Sequence, residues 1–349
     1  YFNPRPLSPY NQRWQLGIQR ELPYGFVAEV GYVGNRGTHL ELTRNLNATP
    51  NKYLSTSTTR DQTRINYLSA LVPNPFVNLL PTSAGGAFRS ATIARERLLR
   101  PFPQFDAVNT TTNEGYSWYH SLQLNLEKRF SKGYTFQAAY TLSKFMEAVE
   151  LLNAGDARPT EIISPEDRPH RLALSGIYEL PFGKGKYLLG NIHPVANYIV
   201  SGWQISGIYT LQSGPPLSFG NVIFTGDVKN IRLPGDQQTL ARWINTDAGF
   251  NKVAAEQLGS NVRTFPTRFG FLRADKVNNV DLGLMKKTKI GEGSKEFQFR
   301  GEFLNALNHP LLFTGGINLT PTAAAFGQIT SGAQENYARR VQLTFKFLF

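Results

Sequence analysis

The last ten residues place Val341, Leu343, Phe345, Phe347 and Phe349 at alternate positions, with Arg340, Gln342, Thr344 and Lys346 between them and only Leu348 breaking the polar set. A period of two belongs to the β-strand, whose successive side chains leave opposite faces of the sheet. The pattern recurs upstream. Leu122, Leu124, Leu126 and Phe130 alternate with polar residues, Ser131-Lys132-Gly133 turns the chain, and Tyr134, Phe136, Ala138, Tyr140 and Leu142 return. Further runs follow the same rule: Trp14 to Ile18, Phe26 to Tyr32, Leu172 to Leu180, Trp203 to Leu211, Val280 to Leu284, and Phe297 to Phe303. Together they predict about nine strands of some ten residues each, the length at which a tilted strand crosses a bilayer.

No stretch approaches the roughly 20 apolar residues of a membrane-spanning helix. Aromatics reach 12% of the 349 residues, and 31 Gly and 21 Pro supply turns, so an all-β chain is expected. The absence of Cys rules out disulfides, thiolate metal sites and cysteine nucleophiles. The net charge of +12 comes from 37 Lys and Arg scattered along the chain, with no basic helix or zinc-finger spacing. That scatter suits wet loops and a polar barrel interior better than a nucleic-acid surface.

The connections separate a soluble sheet from a membrane barrel. Shorter ones lie near 21–24, 131–133, 181–200 and 290–295, and long ones near 35–115, 145–169, 213–277 and 307–336. Several long loops tell against a compact soluble domain but belong to outer-membrane barrels, with their short periplasmic turns and long outer loops. With Phe349 in the periplasm, every shorter connection falls on that side. The strand near Trp14 then also descends, giving an odd count, so residues 1–349 are expected to be the C-terminal part of a barrel whose N-terminal strands precede Tyr1. Two aromatic girdles fit: Tyr24, Phe26, Phe130, Tyr134, Phe347 and Phe349 below, and Tyr32, Trp118, Tyr140 and Tyr337 above. Lys128, close to its turn, is expected to reach the headgroups from a lipid-facing position.

Several stretches carry a family pattern: Tyr10-Asn11-Gln12-Arg13-Trp14 with Gly31 to Gly37, Arg100-Pro101-Phe102-Pro103, Leu126 to Gly133, His170-Arg171-Leu172 leading to Glu179-Leu180-Pro181-Phe182-Gly183, Gly202-Trp203-Gln204 with Gln212-Ser213-Gly214, Phe299-Arg300 with Asn305 to Pro310, and Phe349. In order and spacing the chain resembles the C-terminal barrel of TonB-dependent receptors, in particular the Oar-like group that carries a carboxypeptidase-regulatory-like domain. The resemblance implies a barrel of about 22 strands, plugged by an N-terminal domain absent here, that takes up a scarce nutrient with energy delivered by TonB. It also implies that the terminal alternation Val341, Leu343, Phe345, Phe347 and Phe349 is read by the outer-membrane assembly machinery. The implied partners are outer-membrane lipid, that machinery, TonB through the missing region, and an unidentified nutrient.

Candidates for substrate contact are charged. Glu147, Glu150 and Asp156 belong to an acidic run, with Glu161, Glu166 and Asp167, that could meet a cationic or metal-bearing substrate, although a solvated loop is the favoured reading of the run. Arg300 and Glu302 are placed on the polar face, as substrate contacts or as a lumen ion pair. His39, His120, His170, His193 and His309 are too far apart for zinc spacing and read as strand-end or loop hydrogen-bonding groups. Gly291-Glu292-Gly293 reads as a hairpin turn and not as a phosphate cradle, because no helix pattern follows it. No Ser, His and carboxylate set converges on the strand map, so no enzyme, cofactor or metal is expected. The alternative to transport is a structural or adhesive outer-membrane barrel, and after it a soluble β-rich binding protein or enzyme.

Overall fold

The computed structural model describes residues 6–79, 89–291, 295–312, 316–330 and 334–349. Among them nine long strands follow one another in a single antiparallel meander: β1 (Tyr10–Leu22), β2 (Phe26–Asn45), β3 (Asn109–Ser131), β4 (Tyr134–Ala148), β5 (His170–Glu179), β6 (Trp203–Gln212), β7 (Val277–Lys289), β8 (Glu296–Leu304) and β9 (Arg340–Leu348). Each strand pairs with its neighbour in sequence, so the short connections gather at one end and the long ones at the other. The sheet is not closed, because β1 and β9 each have one edge without a strand partner among the described residues.

Register turns nine separate alternations into one surface. Ile18 faces Val30, Val30 faces Leu124, Leu124 faces Tyr140, Tyr140 faces Leu172 and Leu172 faces Leu211. At the other end of the sheet Phe303 faces Val341 and Phe299 faces Phe345. The opposite face carries Gln19, Glu29, Asn125, Ala139, Ala173 and Thr210 in the corresponding positions. A slip of one residue at any pair would carry a whole strand's apolar set to the wrong side. The apolar face remains exposed, with Leu16, Ile18, Leu122, Ile205, Leu282 and Leu343 among the large hydrophobics left uncovered. A face this broad and apolar needs lipid or protein against it.

The motif joining Trp14 to the Gly31–Gly37 run has a packing cause. Trp14 lies directly across from Gly34, and a Cβ at Gly34 would stand 2.2 Å from the indole Nε1. The glycine leaves room for the ring to lie flat on the neighbouring strand. Gly202, at φ 75°, makes the sharp entry to β6, and a Cβ there would strike the Lys287 carbonyl oxygen at 2.1 Å.

The structure departs from the sequence reading in three places. First, β2, β3 and β4 run to 20, 23 and 15 residues and do not stop near ten. Beyond Thr38 the pair β2–β3 passes two bulges and continues to Asn45 against Asn109, because each strand still has a partner for its backbone. Second, Lys128 is buried, 1% exposed. Its Nζ donates to the Arg129 carbonyl and the Ser131 hydroxyl and lies 4.8 Å from the Tyr134 ring centroid and 5.8 Å from that of Phe26. The turn supplies its acceptors at close range, so it has no need to extend towards headgroups. Third, the connection at 181–200 contains a helix, Pro194–Val200, and the long loops are folded. The expected turn at Gly291-Glu292-Gly293 extends into 292–294, which lie outside the described residues.

Candidate functional site

The loops above the sheet hold the one sizeable apolar core of the described residues. Leu217, Phe219, Ile231, Trp243, Ile244, Phe250, Phe265 and Leu272 from the β6–β7 connection pack with Ile317 and Phe326 from the β8–β9 connection. Phe250 lies edge-on to Phe224 at 4.8 Å and to Phe326 at 5.1 Å between ring centroids. The Trp243 indole N–H donates to the Arg273 carbonyl, and its backbone N–H donates to Gly327 across the two loops. A short antiparallel pair, Pro216–Ser218 on Arg268–Arg273, closes this connection at its base.

Charged side chains fasten a second loop to it. Arg268 donates to the Ile163 carbonyl and is paired with Glu150 at 2.9 Å and Glu147 at 3.5 Å. Arg273 meets the buried Asp167, whose other carboxylate oxygen accepts the Phe145 backbone N–H at 2.6 Å. Asp156 accepts from Asn51, on the β2–β3 connection, and from Asn153. Glu147, Glu150, Asp156 and Asp167 therefore join three loops, and their charges are occupied by neighbours. Sequence spacing hid this, because the cross-loop partners Arg268, Arg273 and Asn51 are more than 100 positions away.

Where those loops converge they leave a cleft of about 470 Å³ whose lining mixes polar side chains with Leu54, Leu152 and Leu258. Thr49, Asn51 and Glu96 line it from the first loop, Asn153 and Gly155 from the second, and Asn261 and Arg263 from the third. The Asn51 Oδ1 is buried and makes no hydrogen bond. Burial lowers the Arg263 pKa from its ordinary value, with Glu150 acting against that, and its guanidinium donates to the Phe265 and Phe219 carbonyls. Burial raises the Glu96 pKa, but bonds from Thr49 and Arg100 outweigh it and leave the net shift downward. Sequence reading passed over Asn51, Asn153, Asn261 and Arg263, since single Asn residues in a loop carry no spacing signal.

Arg300 and Glu302 stand on the polar face of β8, joined at 2.7 Å, opposite Thr344 and Gln342 of β9. Val341, Leu343, Phe345 and Phe347 stand on the apolar face, and Phe349 lies beyond the strand with its ring stacked on Phe347 at 6.0 Å. Two histidines end in matching pairs at the upper rim, Tyr32 with His120 at 2.6 Å and Tyr140 with His170 at 2.8 Å.

A sheet with one apolar and one polar face, turned tightly at one end and roofed by folded loops at the other, defines an outer-membrane β-barrel. Residues 1–342 match the family described as "Outer membrane beta barrel domain", and the chain belongs to it, a protein of the bacterial outer membrane. No curated protein matches the sequence. Among solved structures, the outer membrane transporter YddB from Escherichia coli is similar over 98% of this chain and 32% of its own, at 11% identity and a TM-score of 0.39. The chain thus spans about a third of that solved protein, and a likeness of this degree carries no argument about activity.

Proposed function

We propose that this chain is the barrel portion of a TonB-dependent, Oar-like outer-membrane receptor that takes up a nutrient. Further strands would pair with the open edges of β1 and β9, where unpaired backbone groups are costly in lipid. The observation that carries the reading is the cleft at the junction of three loops, in a chain whose sheet keeps one face polar. A substrate caught there, where the Asn51 Oδ1 is unbonded, would pass to a wall on which Arg300 and Glu302 project. Glu147, Glu150 and Asp156 would act on it indirectly, by holding the cleft's loops together. The terminal set Val341, Leu343, Phe345, Phe347 and Phe349 would serve the assembly machinery. Nothing in this scheme asks a side chain to do chemistry.

The test is uptake by cells carrying the full-length protein, with and without TonB, from a panel of labelled iron chelates, cobalamins, oligosaccharides and peptides. Saturable uptake of one class, lost without TonB and weakened by Asn153→Ala, is expected. Uptake of every class unchanged by deleting the gene would sink the transport reading. A structural or adhesive barrel would then be the better account, since the aromatic core holds the outer loops in a folded arrangement.

A further inference from the structure

The lipid-facing side of the barrel is not uniformly covered with large side chains. Gly176 of β5 lies directly across from Gly207 of β6, and the pair forms the floor of a groove on the apolar face. Phe136, Tyr178, Tyr209 and Leu282 wall it, and the groove has a volume of about 570 Å³. Two residues up each strand, Leu174 and Tyr209 form the next row, and above them Leu172 and Leu211 enter a larger cavity of about 1030 Å³ beneath the loop core. Four of the five residues of the long strands that border that cavity, Tyr140, His170, Leu172 and Leu211, stand on the apolar face, so it adjoins the lipid-facing side of the sheet.

The two cavities differ in chemistry along the membrane normal. The lower one is almost wholly apolar in its named walls. Arg232, Arg273 and Lys276 border the upper one, with Asp275 as its single carboxylate. Arg273 is held by Asp167, and Asp275 accepts the Lys276 and Leu312 backbone N–H groups. The Arg232 guanidinium and the Lys276 ammonium are exposed and have no hydrogen-bond or ion-pair partner among the described residues. From Leu172 down to Gly176 is roughly 13 Å along the strand at about 3.3 Å per residue, or about 10 Å along the normal at a tilt of about 40°, within one leaflet's share of a hydrocarbon core about 30 Å thick.

We propose that this face binds a lipid of the outer leaflet that carries an anionic phosphate headgroup, with an acyl chain in the Gly176–Gly207 groove and the phosphate held by Arg232 and Lys276. A phosphate at the rim meets two unpaired cations where the outer-membrane surface begins, and an alkyl chain fills the space that the glycines leave uncovered. A zwitterionic lipid would use the groove but gain nothing from the cations. The inference needs only the membrane location and holds whatever the barrel transports.

The full-length protein, purified in mild detergent, would be mixed with bis-phosphorylated lipid A and, separately, with the same lipid after removal of its phosphates, and retention measured by native mass spectrometry. The unmodified protein is expected to retain the phosphorylated lipid preferentially, and Arg232→Ala with Lys276→Ala to reduce that retention by roughly tenfold or more. Gly207→Leu, whose Cβ would meet only the mobile end of Leu282 at 3.3 Å and the Asp281 carbonyl at 3.8 Å, is expected to lower retention of both forms by filling the groove. Heat-modifiable migration on gels reports folding, and the exposed Arg232 and Lys276 changes leave it intact. Equal retention of both lipids by the unmodified protein, or retention unaffected by the double change, would overturn the proposal. So would a dimer that Gly207→Leu dissociates with lipid retention untouched, which would make this face a contact between copies.

Discussion

Arg268 illustrates what a single side chain does in these loops. It lies almost fully buried, and its guanidinium satisfies one carbonyl and two carboxylates drawn from a connection more than 100 residues earlier. Removing one partner of a buried pair leaves the others charged and unpaired, a loss of about 3–5 kcal/mol. Arg268→Ala is therefore expected to free the 149–169 connection, read as rapid proteolysis there while the barrel keeps its heat-modifiable migration. Unchanged protease resistance would show that the loops are held by something else. Asp61 makes a pH-dependent link of the same kind. The Arg64 backbone N–H, followed by the Ser55 hydroxyl, holds its carboxyl below the usual value. A depressed folded pKa gives stability that is present above the unfolded value of about 3.9 and is lost as pH falls through the folded one. The protection factor of the Arg64 amide, its exchange rate taken against the intrinsic rate at each pH, should therefore fall below about pH 4, and Asp61→Asn should remove that dependence.

At the scale of strands, the alternation was legible because lipid on one side and water on the other impose opposite demands on neighbouring residues. Leu124 and Gln123 are adjacent, yet register sends them to opposite faces, and Leu124 lies midway along β3 between the girdle residues Trp118 and Phe130. Leu124→Arg is expected to cost about 2–4 kcal/mol, the penalty for a cation near the bilayer midplane, and Gln123→Arg much less. Unfolding in lipid vesicles by denaturant measures both, and equal losses would mean that the faces are misassigned. The same asymmetry explains where sequence reading stopped short. Once β2 and β3 rise above the membrane, both faces meet water or loop, the pattern from Gly34 to Asn45 loses its alternation, and only backbone pairing carries the strands on to Asn109. Lys128 misled for a related reason: it occupies an apolar-face position, but its acceptors, the Arg129 carbonyl and the Ser131 hydroxyl, belong to a turn whose shape no spacing rule conveys.

In the whole molecule two apolar systems are stacked, a sheet face turned to lipid and a loop core turned inward on itself. The first could be read from a period of two. The second could not, because Phe219, Trp243, Phe250, Phe265 and Phe326 recur at no fixed interval and come together only when two connections fold against each other. The cleft inherits that difficulty, since Asn51, Asn153 and Asn261 come from three loops. The loop system is fastened to the wall through side-chain links such as Arg268 with Glu147 of β4 and Asp167 with the Phe145 backbone N–H, which leaves the two systems able to fail separately. Phe250 packs against Phe219, Phe224, Phe265 and Phe326, so truncating it leaves a cavity among four rings, at a cost of about 3–5 kcal/mol. If the loop core is a unit of its own, Phe250→Ala should open the 213–277 connection to protease and abolish whatever binds at the cleft, while denaturant unfolding of the strands, followed by far-ultraviolet circular dichroism, stays within about 0.5 kcal/mol. A matching fall in strand stability would mean that the roof and the wall fold as one, and that substrate captured above could pull directly on the barrel below.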